Sequence, residues 1–224
     1  MSRPLAILRP PPGGAATADR VRAAGLEPLL VPLFEVVPLD WTPPDPKLFD
    51  ALLLTSANAA RHAGPGLAAL ARLPALAVGP ETGLTAEHAG LRVVECGSRG
   101  VAALLARQPS NQRLLWLAGR DRIVIEHTAI RAILPVYANE AVALTADAAA
   151  QLSGSVALVH SARATRQLGA QLDAHGIPRN SVRIAAISAR AADADGRGWA
   201  RVAIAAEPSD AALIAVAQPL AIDP

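Results

Sequence analysis

Two short stretches of this chain put a hydroxyl where an apolar run gives way to a helical pattern. Residues 50–62 read DALLLTSANAARH, and residues 155–167 read SVALVHSARATRQ. Thr55, Ser56 and Asn58 follow the first run and Ser161 follows the second; "GPET" (79–82), with Gly79 and Thr82, and "SARA" (188–191), opening on Ser188, stand in comparable places. A Ser or Thr before a helix accepts from the free amide N–H groups of its first turn, and small residues there let those amides approach an anion. Such residues either cap the helix alone or also hold a ligand oxygen, and both roles ask for the same residue types. Tyr137, the single tyrosine, is a weak acid that could donate to a leaving oxygen; its other reading is a packing role at a joint of the chain.

Other chemistries find no support. There is no G-x-x-x-x-G-K-[ST], and the sole lysine, Lys47, lies in a proline-rich segment, which excludes a P-loop nucleotidase. "PPPGGAAT" (10–17) lacks G-x-G-x-x-G and reads more as a flexible turn than as a phosphate cradle. Neither Ser56 nor Ser161 lies in G-x-S-x-G. Five histidines without H-E-x-x-H or paired cysteines give no metal site, and Cys96, the one cysteine, reads as a buried small residue. A net charge of +2 without a basic stripe argues against nucleic acid. Nothing reaches the run of about 18 apolar residues that a membrane span needs, so the expectation is a soluble cytoplasmic protein.

The elements that would carry these residues follow a βα alternation, the signature of parallel sheets. Strands are predicted at 5–9, 28–33, 51–55, 75–79, 91–95, 114–119, 155–159, 182–187 and 201–205. Helices are predicted at 15–24, 58–71, 81–89, 99–107, 121–132, 145–152, 163–174, 189–196 and 209–217. The carboxyl ends of parallel strands are where ligands bind, and "TSAN", "GPET", "HSAR" and "SARA" all fall there.

The pattern also repeats. "ALAVGPETGLTAEHAGLRVVECGSRGVAALLA" (75–106) is echoed by "IAAISARAADADGRGWARVAIAAEPSDAALIAV" (184–216), in nearly the register that relates Ser56 to Ser161. One copy, 36–138, is complete. The other, 143–224, lacks an opening βαβ that residues 1–33 would supply, so one α/β lobe is expected inside the other. The crossings, 34–46 and 134–144, read as extended because prolines 38, 43, 44, 46 and 135 discourage helix. They would form a two-stranded linker beside a cleft.

Taken in order, the motifs resemble the uroporphyrinogen-III synthase family of tetrapyrrole biosynthesis. The similar stretches are "LRP" (8–10), "AAGLEPLLVPLFEV" (23–36), "DALLLTSANAAR" (50–61), "LAVGPETGLTAEHAGLRV" (76–93), "LWLAGRDR" (115–122), "LPVYANEAV" (134–142), "VALVHSARATRQL" (156–168) and "AEPSDAAL" (206–213). The resemblance implies two similar flavodoxin- or Rossmann-like parallel-sheet lobes. It implies a cofactor-free, metal-free enzyme that cyclises hydroxymethylbilane, a linear tetrapyrrole with eight carboxylates, through a spiro intermediate that inverts the last ring. By position, Thr55, Ser56, Asn58, Gly79, Thr82, Ser161 and Ser188 would bind substrate, with Arg9 and Arg120 as carboxylate partners and Tyr137 as proton donor. A monomer is expected, with the preceding enzyme of the pathway as a possible partner and no nucleic acid or membrane.

The chain departs from the family pattern in two places. Ser188, Ala189 and Arg190 stand where the family carries a glycine-led segment, and His160 replaces an apolar or aromatic residue. The alternative from another class is a non-catalytic two-lobed binding or regulatory module for a small anionic ligand.

Overall fold

The strands Leu5–Ile7, Ala51–Leu54, Leu114–Gly119 and Val156–Val159 are buried along their whole length, as strands are when helices cover both faces of a parallel sheet. The structure is a computed structural model that describes residues 2–98, 100–123 and 125–222. In chain order its elements are β1 (Leu5–Ile7), α1 (Gly13–Ala23), β2 (Pro28–Leu30), β3 (Phe34–Pro38), β4 (Ala51–Leu54), α2 (Ala57–His62), β5 (Ala75–Val78), α3 (Pro80–His88), β6 (Val93–Gly97), α4 (Gly100–Leu105), β7 (Leu114–Gly119) and β8 (Ile130–Ala141). They continue with α5 (Ala146–Ala150), β9 (Val156–Val159), α6 (Ala162–Ala174), β10 (Arg183–Ala186), α7 (Ala189–Ala192), β11 (Arg201–Ile204) and α8 (Asp210–Ile222).

The chain divides into two units, Met1–Glu35 with Ala141–Pro224, and Val36–Glu140, called here lobe one and lobe two. Lobe one holds a five-stranded sheet in the order β11-β10-β9-β1-β2, with parallel pairing throughout. The other sheet has six strands in the order β3-β8-β7-β4-β5-β6, and its pairs from β8 to β6 are parallel. The two orders are the same winding. Counting lobe one from β9 and returning to β1 and β2, its sheet runs 3-2-1-4-5, as do β6-β5-β4-β7-β8. Thus β4 and β9, the strands that end on Thr-Ser and His-Ser, occupy equivalent central places.

Alternation along each strand builds two cores per lobe, because successive side chains point to opposite faces. In lobe one Leu5, Ile7, Val156 and Leu158 pack against α8 residues such as Leu213, while Ala6, Leu8, Ala157 and Val159 pack with Leu168 and Leu172 of α6. Leu52, Leu54, Leu115 and Leu117 do the same on one face of lobe two, and Leu53, Trp116 and Leu104 on the other. At the amino end of β4, Asp50 accepts from the Arg113 backbone N–H at 2.8 Å and from its Nη2 at 2.6 Å, tying β4 to β7.

Three expectations are corrected. No helix forms over 121–132 among the described residues: a turn in which His127 O accepts from Ile130 N–H leads into β8, whose Ile130 pairs with Leu114. The segment is rich in β-branched residues, which favour an extended backbone packed on a sheet. The helix over 58–71 breaks after His62, where Gly64, left-handed at φ +64°, opens the 3-10 stretch Gly64–Leu70. Trp41 secures that break, since its Nε1 donates to Ala63 O at 2.7 Å. Cys96 is exposed on the edge strand β6 rather than buried.

Candidate active site

Because the strands run parallel, their carboxyl ends gather on one edge of each sheet, beside the helix N-termini. In lobe two Thr55 follows β4, and its hydroxyl accepts from Trp116 Nε1 of β7 at 3.2 Å. Ser56 is the N-cap of α2, accepting from Asn58 N–H at 3.2 Å. Asn58 Oδ1 in turn accepts from Arg61, whose Nη2 pairs with Glu81 of α3 at 2.9 Å. Gly79 opens α3 at φ +88°, a backbone that favours glycine, and donates its N–H to Gly97 O. Thr82, in the first turn of α3, is buried at 5% exposure.

Tyr137 sits on β8 opposite Gly119, the last residue of β7. A Cβ at position 119 would stand 2.8 Å from the tyrosine Cζ and 2.9 Å from its oxygen, so the ring lies against bare backbone. The His62 ring lies 6.4 Å away, centroid to centroid, and burial, then the Arg61 charge, push its imidazole below the usual histidine range. Arg120 donates its backbone N–H to Tyr137 O at 2.8 Å, and its Nη1 pairs with Glu140 Oε1 at 2.9 Å. That hydrogen bond, more than the charges of Glu140 and Asp121, raises its already high pKa.

On the lobe-one edge Ser161 caps the 13-residue α6 through Ala164 N–H at 3.1 Å, and Ser188 caps the four-residue α7 through Ala191 N–H at 3.3 Å. At Ser188 the backbone is extended, φ −163°, so this counterpart of Gly79 has no need of glycine. Arg190 is exposed. Arg9 follows β1, and its Nη1 lies 3.4 Å from Asp210 Oδ1 in the first turn of α8. The same carboxylate accepts from Arg20 Nη1 at 2.8 Å and Thr17 Oγ1 at 2.7 Å, with His160 Nε2 at 3.0 Å. The His160 hydrogen bond first, then Thr17 and the nearby charges, hold the Asp210 carboxyl far below the usual carboxylate range against the opposing effect of burial.

Each lobe thus assembles its own subset of the expected residues. Thr55, Ser56, Asn58, Gly79, Arg120 and Tyr137 share the edge of lobe two, and Arg9, Ser161 and Ser188 that of lobe one. Trp116, Gly119 and Asp210 escaped the sequence reading. A glycine ending a strand and an Asp just after Ser209 at a helix start were the available signals.

The family model described as Uroporphyrinogen-III synthase HemD matches residues 15–215. Comparison with curated proteins gives no match. Among solved structures the chain is similar to the uroporphyrinogen-III synthetase of Helicobacter pylori 26695, at 19% identity and a TM-score of 0.64 over 98% of this chain and 100% of that one. It is also similar to a mutant uroporphyrinogen III synthase from the extremely thermophilic bacterium Thermus thermophilus, at 16% identity and a TM-score of 0.50 over 98% and 97% of the two chains. The structural likeness speaks for the fold, while the family match spans most of the sequence. The chain belongs to the uroporphyrinogen-III synthase family.

Proposed function

We propose that this protein is an active uroporphyrinogen-III synthase, a lyase that closes hydroxymethylbilane to uroporphyrinogen III with loss of water and inversion of the last ring. The observation that carries this reading is the family match over residues 15–215. The edges of the two lobes support it, since each gathers capped helix N-termini and an arginine, the groups that suit a substrate ringed by carboxylates.

Tyr137 gives its proton to the terminal hydroxyl as the C–O bond breaks, so water leaves and a protonated azafulvene remains together with the phenolate. The last pyrrole attacks through its substituted carbon to give the spiro intermediate. The original bond from the spiro carbon to its methylene bridge then breaks, the ring's free α-carbon bonds to that methylene, which inverts the ring, and the proton lost from that α-carbon restores the phenol. No net oxidation occurs, so the sequence of steps calls for no redox cofactor. The main task is conformational, and holding reactants in the productive geometry is worth several orders of magnitude in rate.

Capping and binding are compatible at Ser56, Ser161 and Ser188, as are the Trp116 contact and binding at Thr55. Each hydroxyl oxygen accepts from within its lobe, which leaves its proton to donate to a carboxylate. Asn58, Thr82 and the Gly79 turn are further substrate contacts in this reading, and Arg9 and Arg120 are carboxylate partners. The reading extends to a cytoplasmic monomer supplied by the preceding enzyme of the pathway. Among the described residues no helix is long and apolar enough to cross a membrane.

The test is to add the protein to freshly generated hydroxymethylbilane, oxidise the products and separate the isomers by chromatography. Isomer III in large excess over a protein-free control is expected. Isomer I alone, at the uncatalysed rate, would refute the assignment.

A further inference from the structure

Asp210 is the meeting point of three elements. Arg9 comes from the end of β1, Thr17 and Arg20 from α1, and His160 from the end of β9, all within 3.4 Å of one carboxylate. An ionised carboxylate has about four acceptor sites, and four donors occupy them. Asp210 has no capacity left for a ligand. Its partners do: the Arg9 guanidinium carries five N–H donors, and among the described residues its Nη1 alone is engaged, with Asp210 and Thr17. Two arginines on one carboxylate also leave the group positive even when His160 is neutral.

A second observation fixes the same guanidinium. A Cβ on Gly13, the first residue of α1, would lie 2.8 Å from Arg9 Nη2 and 2.9 Å from its Cζ, so the planar group rests against bare backbone. No acidic residue stands in the first turn of α1 to compete for it. The Arg9 side chain is 38% exposed, whereas Asp210 and His160 are at 14% and 15%, so the arginine faces outward from a half-buried brace. Among the described residues His160 Nδ1 is buried without a hydrogen-bond partner, which makes the Nε2 contact to Asp210 the polar tie of that ring.

We propose that Asp210, braced by His160 and Thr17, is a positioning residue that holds Arg9 against Gly13 as the lobe-one receiver of a substrate carboxylate. The inference rests on the synthase reading and deepens it, adding four residues, Asp210, His160, Thr17 and Gly13, to a contact first expected of Arg9 alone. Arg9 touches the substrate; Asp210 acts through it.

The test compares Asp210→Asn, Gly13→Ala, Arg9→Ala and the double variant Arg9→Ala with Asp210→Asn. Asp210→Asn is expected to raise KM for hydroxymethylbilane about tenfold, with kcat within about twofold, as for a lost charge-assisted contact made equally in ground and transition states. Gly13→Ala, which displaces the guanidinium but leaves the carboxylate, should give the same split. In the Arg9→Ala background, Asp210→Asn should change KM no further. A role in stability alone would lower the melting temperature and leave KM untouched. An unchanged KM, a lower KM from an arginine released to the substrate, or additive effects in the double variant would each overturn the proposal. Should the unaltered protein form no isomer III, the synthase reading falls. The inference is then judged by binding of uroporphyrin III, a stable polycarboxylate, followed by fluorescence. Binding weakened about tenfold by both Asp210→Asn and Gly13→Ala sustains a carboxylate site, and equal binding removes it.

Discussion

The proton-donor role proposed for Tyr137 needs a well-placed ring, and that ring lies against the bare backbone of Gly119. Tyr137→Phe is expected to lower kcat about a hundredfold while KM stays within about twofold, the signature of a lost general acid. Gly119→Ala should produce a comparable fall by displacing the ring, since small misplacements cost as much as lost groups. Combined, the two should cost little more than either alone, and steady-state kinetics on the four proteins decides it. Asp210 lends itself to a pH test. Its carboxyl is held below its unfolded value of about 4, so its contribution to stability is complete above that pH and is lost as pH falls through the folded pKa. The melting difference between the wild type and Asp210→Asn should therefore be largest near neutrality and narrow below about pH 4. Tyr137 was legible in the sequence because it is the single tyrosine. Gly119, Asp210 and the exposure of Cys96 were not, because each depends on which strand or helix lies alongside.

At the scale of elements, the serines before α2, α6 and α7 show why sequence left two readings open at those sites. Capping and ligand binding want the same hydroxyl at the same place, and the cap geometry seen at all three leaves the second use intact. Substitution separates them at Ser161. Ser161→Ala should cost about 1 kcal/mol of stability and Ser161→Gly a few tenths, because glycine is itself a good N-cap residue. If the hydroxyl also holds substrate, both variants should raise KM alike despite their different melting temperatures; a KM that tracks stability would leave capping as its sole role. Strands were readable from short apolar runs, and most helices from their flanking caps. The segment 121–132 misled because apolar spacing suggested a helix, while pairing of Ile130 with Leu114 pulls the chain into a sheet instead. Helical spacing is a local signal, and strand pairing is not.

Over the whole molecule, both sheets wind 3-2-1-4-5, but lobe two follows that order without interruption while lobe one begins it at β9 and finishes it at β1 and β2. The repeat was visible in sequence because β4 and β9 hold the same place in this winding; its offset start along the chain follows from the same fact. The Arg3 backbone N–H donates to Ala221 O at 2.9 Å. The two segments of lobe one therefore meet at their outer ends, next to each other in space though far apart along the chain. A rewired polypeptide that reads 141–222, a short glycine linker, then 2–35 would present lobe one as a single continuous run. It should fold unaided, with cooperative thermal unfolding and the circular dichroism of a five-stranded α/β domain, and its failure to do so would show that this lobe depends on the inserted one. Sequence continuity and structural unity are independent properties here, and a permutation of covalent order is enough to exchange one for the other.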